Sequence, residues 1–209
     1  SYTNDPTDET DDGKGTTDDE ENVYTFEIDG SAEGLTKDLI KKVAPGETEE
    51  TKGELVALPG AEFTLYKTYS GTPKVLSDKY TNSTIPADQE YTAKSDSDGQ
   101  LKITGLAAGT YYLKETKAPS DYTLNDNIYK IEITNVLITD KKLKSWDVVI
   151  TEIINGVEGT PKTSSFSVTE NDGNVSLGVS HKNEEGTGDV NGVISTEIQN
   201  TKISTLPST

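Results

Sequence analysis

The 209-residue chain carries 37 acidic against 19 basic side chains, a formal net charge of −18, and every basic residue is Lys. A chain this acidic is repelled by nucleic acid and by anionic membranes, and without Arg it lacks the bidentate phosphate reader, so nucleic-acid binding is set aside. It has neither Cys nor Met, which removes disulfides, thiolate zinc sites and cysteine nucleophiles, and gives the expectation of a mature or excised chain without signal peptide or membrane span.

Residues 1–21 read as an acidic interdomain linker. Between Asp5 and Glu21 there is no Val, Ile, Leu or aromatic residue, so nothing there offsets the entropy of ordering. Residues 22–203 read as one β domain, and 204–209 as a tail. The first strand signal is Val23 to Ile28, alternating with period two and followed by Asp29-Gly30. Ser31 to Ile40 has room for one helical turn. Strand patterns then recur at Leu39–Val43, Ala61–Thr68, Tyr91–Lys94, Leu101–Thr104 and Tyr111–Thr116. Later ones are Ile128–Thr134, Trp146–Glu152, Ser164–Thr169, Val175–Val179 and Ile194–Lys202. The segments between them are turn-like: Ser97-Asp98-Gly99, Ala107-Ala108-Gly109, Asn155-Gly156 and Asn171-Asp172-Gly173. Many short strands without a helical period predict an all-β, antiparallel β-sandwich, with extra strands after Thr134 elaborating the same sandwich.

Three places carry chemistry. In Tyr111-Tyr112-Leu113-Lys114-Glu115 the alternation puts Tyr111, Leu113 and Glu115 on the core face. A bare carboxylate there is costly, so Glu115 is expected to be protonated or paired. In Leu39-Ile40-Lys41-Lys42-Val43 either Ile40 and Lys42 or Leu39, Lys41 and Val43 face inward, and alternation alone leaves both registers open. In Ile198-Gln199-Asn200 the last strand sets Asn200 on the face of Ile198, and an amide inside a strand must find partners.

Leu58-Pro59-Gly60-Ala61-Glu62-Phe63-Thr64-Leu65-Tyr66 resembles the opening of pilin domains of the Cna protein B type, also called SpaA-like. So does the run from Ser95 to Tyr111, which leads into Tyr112-Leu113-Lys114-Glu115-Thr116-Lys117-Ala118-Pro119, similar to that family's E-box. The resemblance is continuous from Leu58 to Ile133 and returns at Glu197 to Lys202. It implies an Ig-like or prealbumin-like sandwich. It also implies an intramolecular isopeptide bond between a Lys of the first strand and an Asn of the last, promoted by the E-box Glu. On that basis Lys42 is expected to be the nucleophile, with Lys41 and then Lys37 as alternatives, and Asn200 the amide that it attacks. Glu115 is the catalytic acid, donating to the Asn200 carbonyl and shuttling protons as ammonia leaves. This happens once per molecule, so no enzyme activity and no cofactor or metal is expected.

Leu206-Pro207-Ser208-Thr209 resembles the Leu-Pro-x-Thr part of a sortase sorting signal, and Ser1 to Pro6 the end of a preceding pilin domain. The resemblance implies a pilin-class sortase and neighbouring pilin subunits as partners, with Thr209 joined covalently to the next subunit. It further implies a location on the Gram-positive cell surface, outside any membrane. The expected role is a structural subunit of the pilus shaft; the alternative is an adhesive or stalk domain binding host matrix or glycan through residues 134–192. Asp96 and Asp98 read as a hairpin turn rather than a Ca²⁺ loop, since the later bidentate Glu is missing. Trp146 reads as packing, and His181 as exposed.

Overall fold

Period-two alternation over most of the chain makes strands whose apolar sides need a second layer. The computed structural model describes residues 24–30, 34–81, 90–138, 142–171, 174–179, 181–182, 189–190 and 193–204. The acidic segment 1–21, Val23 and the motif residues Leu206, Pro207, Ser208 and Thr209 lie outside them, as does the side chain of His181. The strands are β1 (Phe26–Asp29), β2 (Ile40–Pro45), β3 (Leu55–Ala57), β4 (Glu62–Ser70), β5 (Val75–Lys79), β6 (Thr92–Lys94), β7 (Lys102–Leu106) and β8 (Gly109–Lys117). There follow β9 (Ile128–Leu137), β10 (Leu143–Ile154), β11 (Val157–Glu158), β12 (Lys162–Asn171), β13 (Asn174–Val179), β14 (His181–Lys182), β15 (Asp189–Val190) and β16 (Thr196–Gln199).

One layer is a nine-stranded sheet in the order β13-β12-β10-β9-β8-β4-β5, with β11 beside β10 and β6 beside β4. A three-stranded sheet, β16-β2-β3, and a two-stranded one, β1-β7, pack against it. Side chains from all three sheets join in one core, among them Phe26, Ile40, Phe63, Leu113, Ile131, Trp146 and Ile198. Trp146 is buried there, as its place in an apolar run suggests: Phe26 meets it at 5.5 Å between ring centroids and meets Phe166 edge-on at 5.1 Å. Strands β12 and β13, from the extra C-terminal half, extend the same large sheet. The all-β sandwich is thus the observed architecture.

Several boundaries differ from the sequence reading, each for a physical reason. Between Val43 and Leu58 the sequence reading places no strand. That stretch forms a β2–β3 hairpin, with Val43 opposite Ala57. A polar turn closes the hairpin, in which Thr48 and Thr51 each accept the other's backbone N–H through their hydroxyls, at 3.2 and 3.1 Å. The expected helical turn is a single hydrogen-bonded turn at 35–38, with Leu39 N–H donating to Thr36 O at 3.0 Å. The last strand stops at Gln199 because the chain then leaves β2. Thr201 O accepts from Thr123 N–H at 2.9 Å and Lys202 bridges to Tyr122. Among the described pairings, β2 with β16 is parallel, Ile40 facing Thr196 and Val43 facing Gln199; the rest are antiparallel. That exception brings the first strand of the small sheet beside the last strand of the chain, running the same way.

Candidate functional site

Strand β2 is central in its sheet and has neither edge bare. One edge pairs with β16 and the other, from Val43 on, with β3. Ahead of β3 the edge is closed by the 96–100 turn: Lys42 N–H donates to Gly99 O at 2.7 Å, and Lys42 O accepts from Leu58 N–H at 3.0 Å. Asp96 holds that turn by accepting the N–H groups of Asp98 and Gln100, both at 2.9 Å, an Asx turn in which its carboxylate serves the backbone. Gly99 has φ +75, and a Cβ there would stand 2.4 Å from Lys42 O, so only glycine allows this approach.

With both edges closed, β2 is buried on both faces. Leu39, Ile40, Val43 and Ala44 are each 1% exposed and Lys42 is 0%. Lys42 shares its face with Ile40 and lies opposite Ile198 across the parallel pairing. Asn200 follows Ile198 by two residues, so it shares that face, diagonally adjacent to Lys42. Its backbone N–H donates to Val43 O at 3.0 Å and its side chain is buried. Glu115 comes from the opposite layer. Strand β8 alternates strictly, burying Tyr111, Leu113 and Glu115, and Glu115 lies opposite Phe63 on β4.

The structure thus brings Lys42, Glu115 and Asn200 together inside the sandwich. Lys42 Nζ is 2.8 Å from Glu115 Oε1, with both side chains fully buried. Asn200 Nδ2 donates to Glu115 Oε2 at 2.8 Å. The Phe63 ring lies 6.0 Å from the Lys42 ammonium. Burial pushes the Lys42 amine below the usual lysine value, and the contact with Glu115, which works in the other direction, does not offset it. Neither the Lys42 amine nor Glu115 Oε1 has a well-angled hydrogen bond despite their close approach, and Asn200 Oδ1 is buried without any donor. Polar atoms in such a state are rare in a core. Of the alternatives, Lys41 is one-third exposed and lies 3.9 Å from Asp38, and Lys37 is exposed.

One detail departs from the sequence expectation of an acid donating to the Asn200 carbonyl. The Asn200 nitrogen, not its oxygen, faces Glu115. The reason is local: Glu115 Oε2 also accepts the backbone N–H of Asn125 at 3.0 Å, so this oxygen is an acceptor with two donors on it. Glu115 therefore stands between two nitrogens, the lysine amine at Oε1 and the asparagine amide at Oε2. Chemically, a carboxylate so placed can take a proton from the first and return one to the second.

Asn125 was not singled out from the sequence. It lies in the 118–127 loop, and its Nδ2 donates to Gln199 O at 2.9 Å and to Tyr129 Oη at 3.2 Å. Only the polar cluster Asn125-Asp126-Asn127 just ahead of an apolar strand marks it in sequence. Outside the core, Lys202 pairs with Glu47 at 2.9 Å and Tyr122 Oη donates to Glu47 at 3.3 Å, joining the hairpin turn to the departing C-terminal segment.

Residues 46–146 match the family model of the SpaA prealbumin-like fold domain. No curated protein matches the chain. Among solved structures, the chain is similar to GBS52, the minor pilin of Streptococcus agalactiae, at 17% identity and a TM-score of 0.38, covering 90% of this chain and 49% of that one. It is similar to the pilus adhesin SpaC from Lactobacillus rhamnosus GG at 20% identity and a TM-score of 0.32, covering 81% and 15% respectively. The Bacillus anthracis TIE protein follows at 14% identity and a TM-score of 0.26, covering 78% and 33%. The chain spans about half the length of the first of these and less of the others. The family match is the specific finding: residues 46–146 are similar to the SpaA prealbumin-like fold domain, with Glu115 inside the matched segment and Lys42 and Asn200 on either side of it.

Proposed function

We propose that this chain is a structural module of a covalently assembled surface pilus, locked internally by a self-formed amide bond between Lys42 and Asn200. The observation that carries the reading is the buried contact of one carboxylate with both an amine and a primary amide, at 2.8 Å each. Lys42 passes a proton to Glu115 Oε1 and becomes nucleophilic, which its burial already favours. The free amine attacks Asn200 Cγ. Glu115 returns that proton to Nδ2 through Oε2 and takes the second Nζ proton at Oε1; the Cγ–Nδ2 bond breaks, ammonia leaves and picks up this last proton as ammonium, and a neutral Nζ–Cγ amide remains. The fold supplies the effective concentration, and the chain acts once, on itself, rather than as an enzyme.

The bond closes a loop of about 160 residues, for which chain-entropy reasoning gives on the order of 5 kcal/mol. Its mechanical effect is larger. Strands β2 and β16 are neighbours, so tension entering β2 passes straight to Asn200 and bypasses everything between. A role bearing load along a fibre follows, with Thr209 as the point joined by sortase to the next subunit, in keeping with the SpaA-type domain and the Leu206–Thr209 motif.

Intact mass of the purified chain tests the bond. The expected result is a deficit of one ammonia, absent from Glu115→Ala and Asn200→Ala; a full-mass native chain would refute the linkage. Covalent ladders of polymer on cells, lost when Thr209 is changed, test the pilus role.

A further inference from the structure

The loop between β8 and β9 connects to both sides of the site through a single residue. Asn125 donates its backbone N–H to Glu115 Oε2 at 3.0 Å, and its side-chain amide to the carbonyl of Gln199, immediately before Asn200, at 2.9 Å. The orientation of that amide is set by its neighbours. Its Oδ1 accepts Asn127 N–H at 2.9 Å, and its Nδ2 also donates to Tyr129 Oη at 3.2 Å. Tyr129 is free to accept because its own proton goes to Glu152 Oε2 at 2.9 Å, an oxygen that also takes Asn127 Nδ2 at 3.0 Å. Glu152, Tyr129 and Asn127 therefore leave Asn125 one orientation, with nitrogen toward β16.

We infer that Asn125 is a positioning residue for the Lys42–Asn200 linkage, holding the proton-carrying carboxylate and the peptide preceding the reacting amide in one frame. The inference rests on the linkage proposed above. The argument for rate is geometric. Glu115 projects from β8 and Asn200 from the end of β16, in different layers with no strand pairing between them. Asn125 is a hydrogen-bonded tie from one to the other. Attack on an amide carbon depends steeply on approach distance and angle, so slack in either group reduces rate before it reduces folding.

The test follows linkage and folding separately in one full-length chain, recovered unfolded from inclusion bodies and refolded by dilution. Ammonia loss is read by intact mass on samples quenched in denaturant. Folding is read from Trp146, the one tryptophan of the chain, which is 2% exposed in the core. In Asn125→Ala, native Trp146 emission is expected to return as in the unsubstituted chain while ammonia loss slows about tenfold or more. In Asn125→Ser, whose hydroxyl can accept from Asn127 N–H and donate toward β16, part of the rate is expected to return. Ammonia loss in Asn125→Ala at the unsubstituted rate overturns the inference and leaves the linkage standing. So does a slowing that only tracks the Trp146 signal, or a serine variant as slow as the alanine one. An unsubstituted chain that folds and keeps its full mass removes the linkage and this inference together.

Discussion

Stretching single chains between handles at the two ends separates a linked from an unlinked molecule by length. In the linked chain, tension enters before β1, runs to Lys42, crosses to Asn200 and leaves through 201–204, so residues 43–199 stay off the load path. Among the described residues on that path, β1, the turn at 35–38 and the start of β2 can yield. That segment, Tyr24 to Lys41, is roughly 18 residues and releases on the order of 60 Å when extended. Its release should be a distinct step, because β1 pairs with β7 and Phe26 is seated between Trp146 and Phe166. In Glu115→Ala the same pull reaches the whole sandwich. Roughly 180 residues then release, on the order of 600 Å. The first resistance there is shear along β2 and β16, since parallel neighbours pulled from opposite ends break their hydrogen bonds together. Single-molecule force spectroscopy reads both lengths. Release of the full length by the unsubstituted chain, or arrest of Glu115→Ala at the short one, refutes the load-path argument.

Two other expectations concern how Lys42 is held. Gly99→Ala places a Cβ against the Lys42 carbonyl at a φ of +75; it should lower stability by about 1–3 kcal/mol and slow ammonia loss, checked by denaturant midpoint and mass. In Asn200→Ala the amine stays free and buried, with its pKa held below the ordinary value of 10.5. Below the folded value both states carry the proton and the full burial cost is felt. Between the folded value and 10.5 the unfolded chain holds a proton that the folded one has lost, so stability should rise with pH across that window. The linked chain has no such amine and should lack the rise. Tyr111, pushed up to about 12 by burial, works the opposite way above pH 10 in both chains and cancels in the comparison. Urea midpoints against pH check it, and identical profiles for the two chains would contradict the buried amine.

The sandwich was legible because the strongest signals were local. Strand β8 alternates without interruption, so the inward face of Glu115 follows from period two alone. The turn residues did as much: Asn155 and Gly156, both at positive φ, form the two-residue link that their dipeptide suggests. Strand β2 was not legible in this way. Alternation has no power where both faces are buried, and residues 39, 40, 42, 43 and 44 are all inside. What decides between Lys41 and Lys42 is the partner strand, an arrangement of residues some 150 positions apart that no local pattern encodes. Strand β3 was not read from the sequence for another reason: it has three residues, its exposed Leu55 gives no alternation, and its pairing with β2 is what makes it a strand. Asn125 was missed because its contact with Glu115 runs through the backbone, which side-chain identity does not report.

The buried trio also bears on why such a fold would link itself. A charged amine and a carboxylate in a core are weak sources of stability, since loss of hydration offsets most of their attraction. Here the sandwich is built from a chain with only 31% hydrophobic residues and a net charge of −18 that opposes compaction. Before linkage, the amine, Glu115 Oε1 and Asn200 Oδ1 all lack well-formed hydrogen bonds, so the site costs more than an apolar replacement of the same volume. Linkage converts the amine and the amide into one neutral amide and expels ammonia. The proposed linkage would remove this buried charged amine in the same step that joins β2 to the end of β16. On this account, replacing the trio with well-packed apolar side chains would recover thermal stability, yet leave the fold unable to hold under tension. Under the proposed function, stability and load-bearing are separable at this site, and only the second requires the bond.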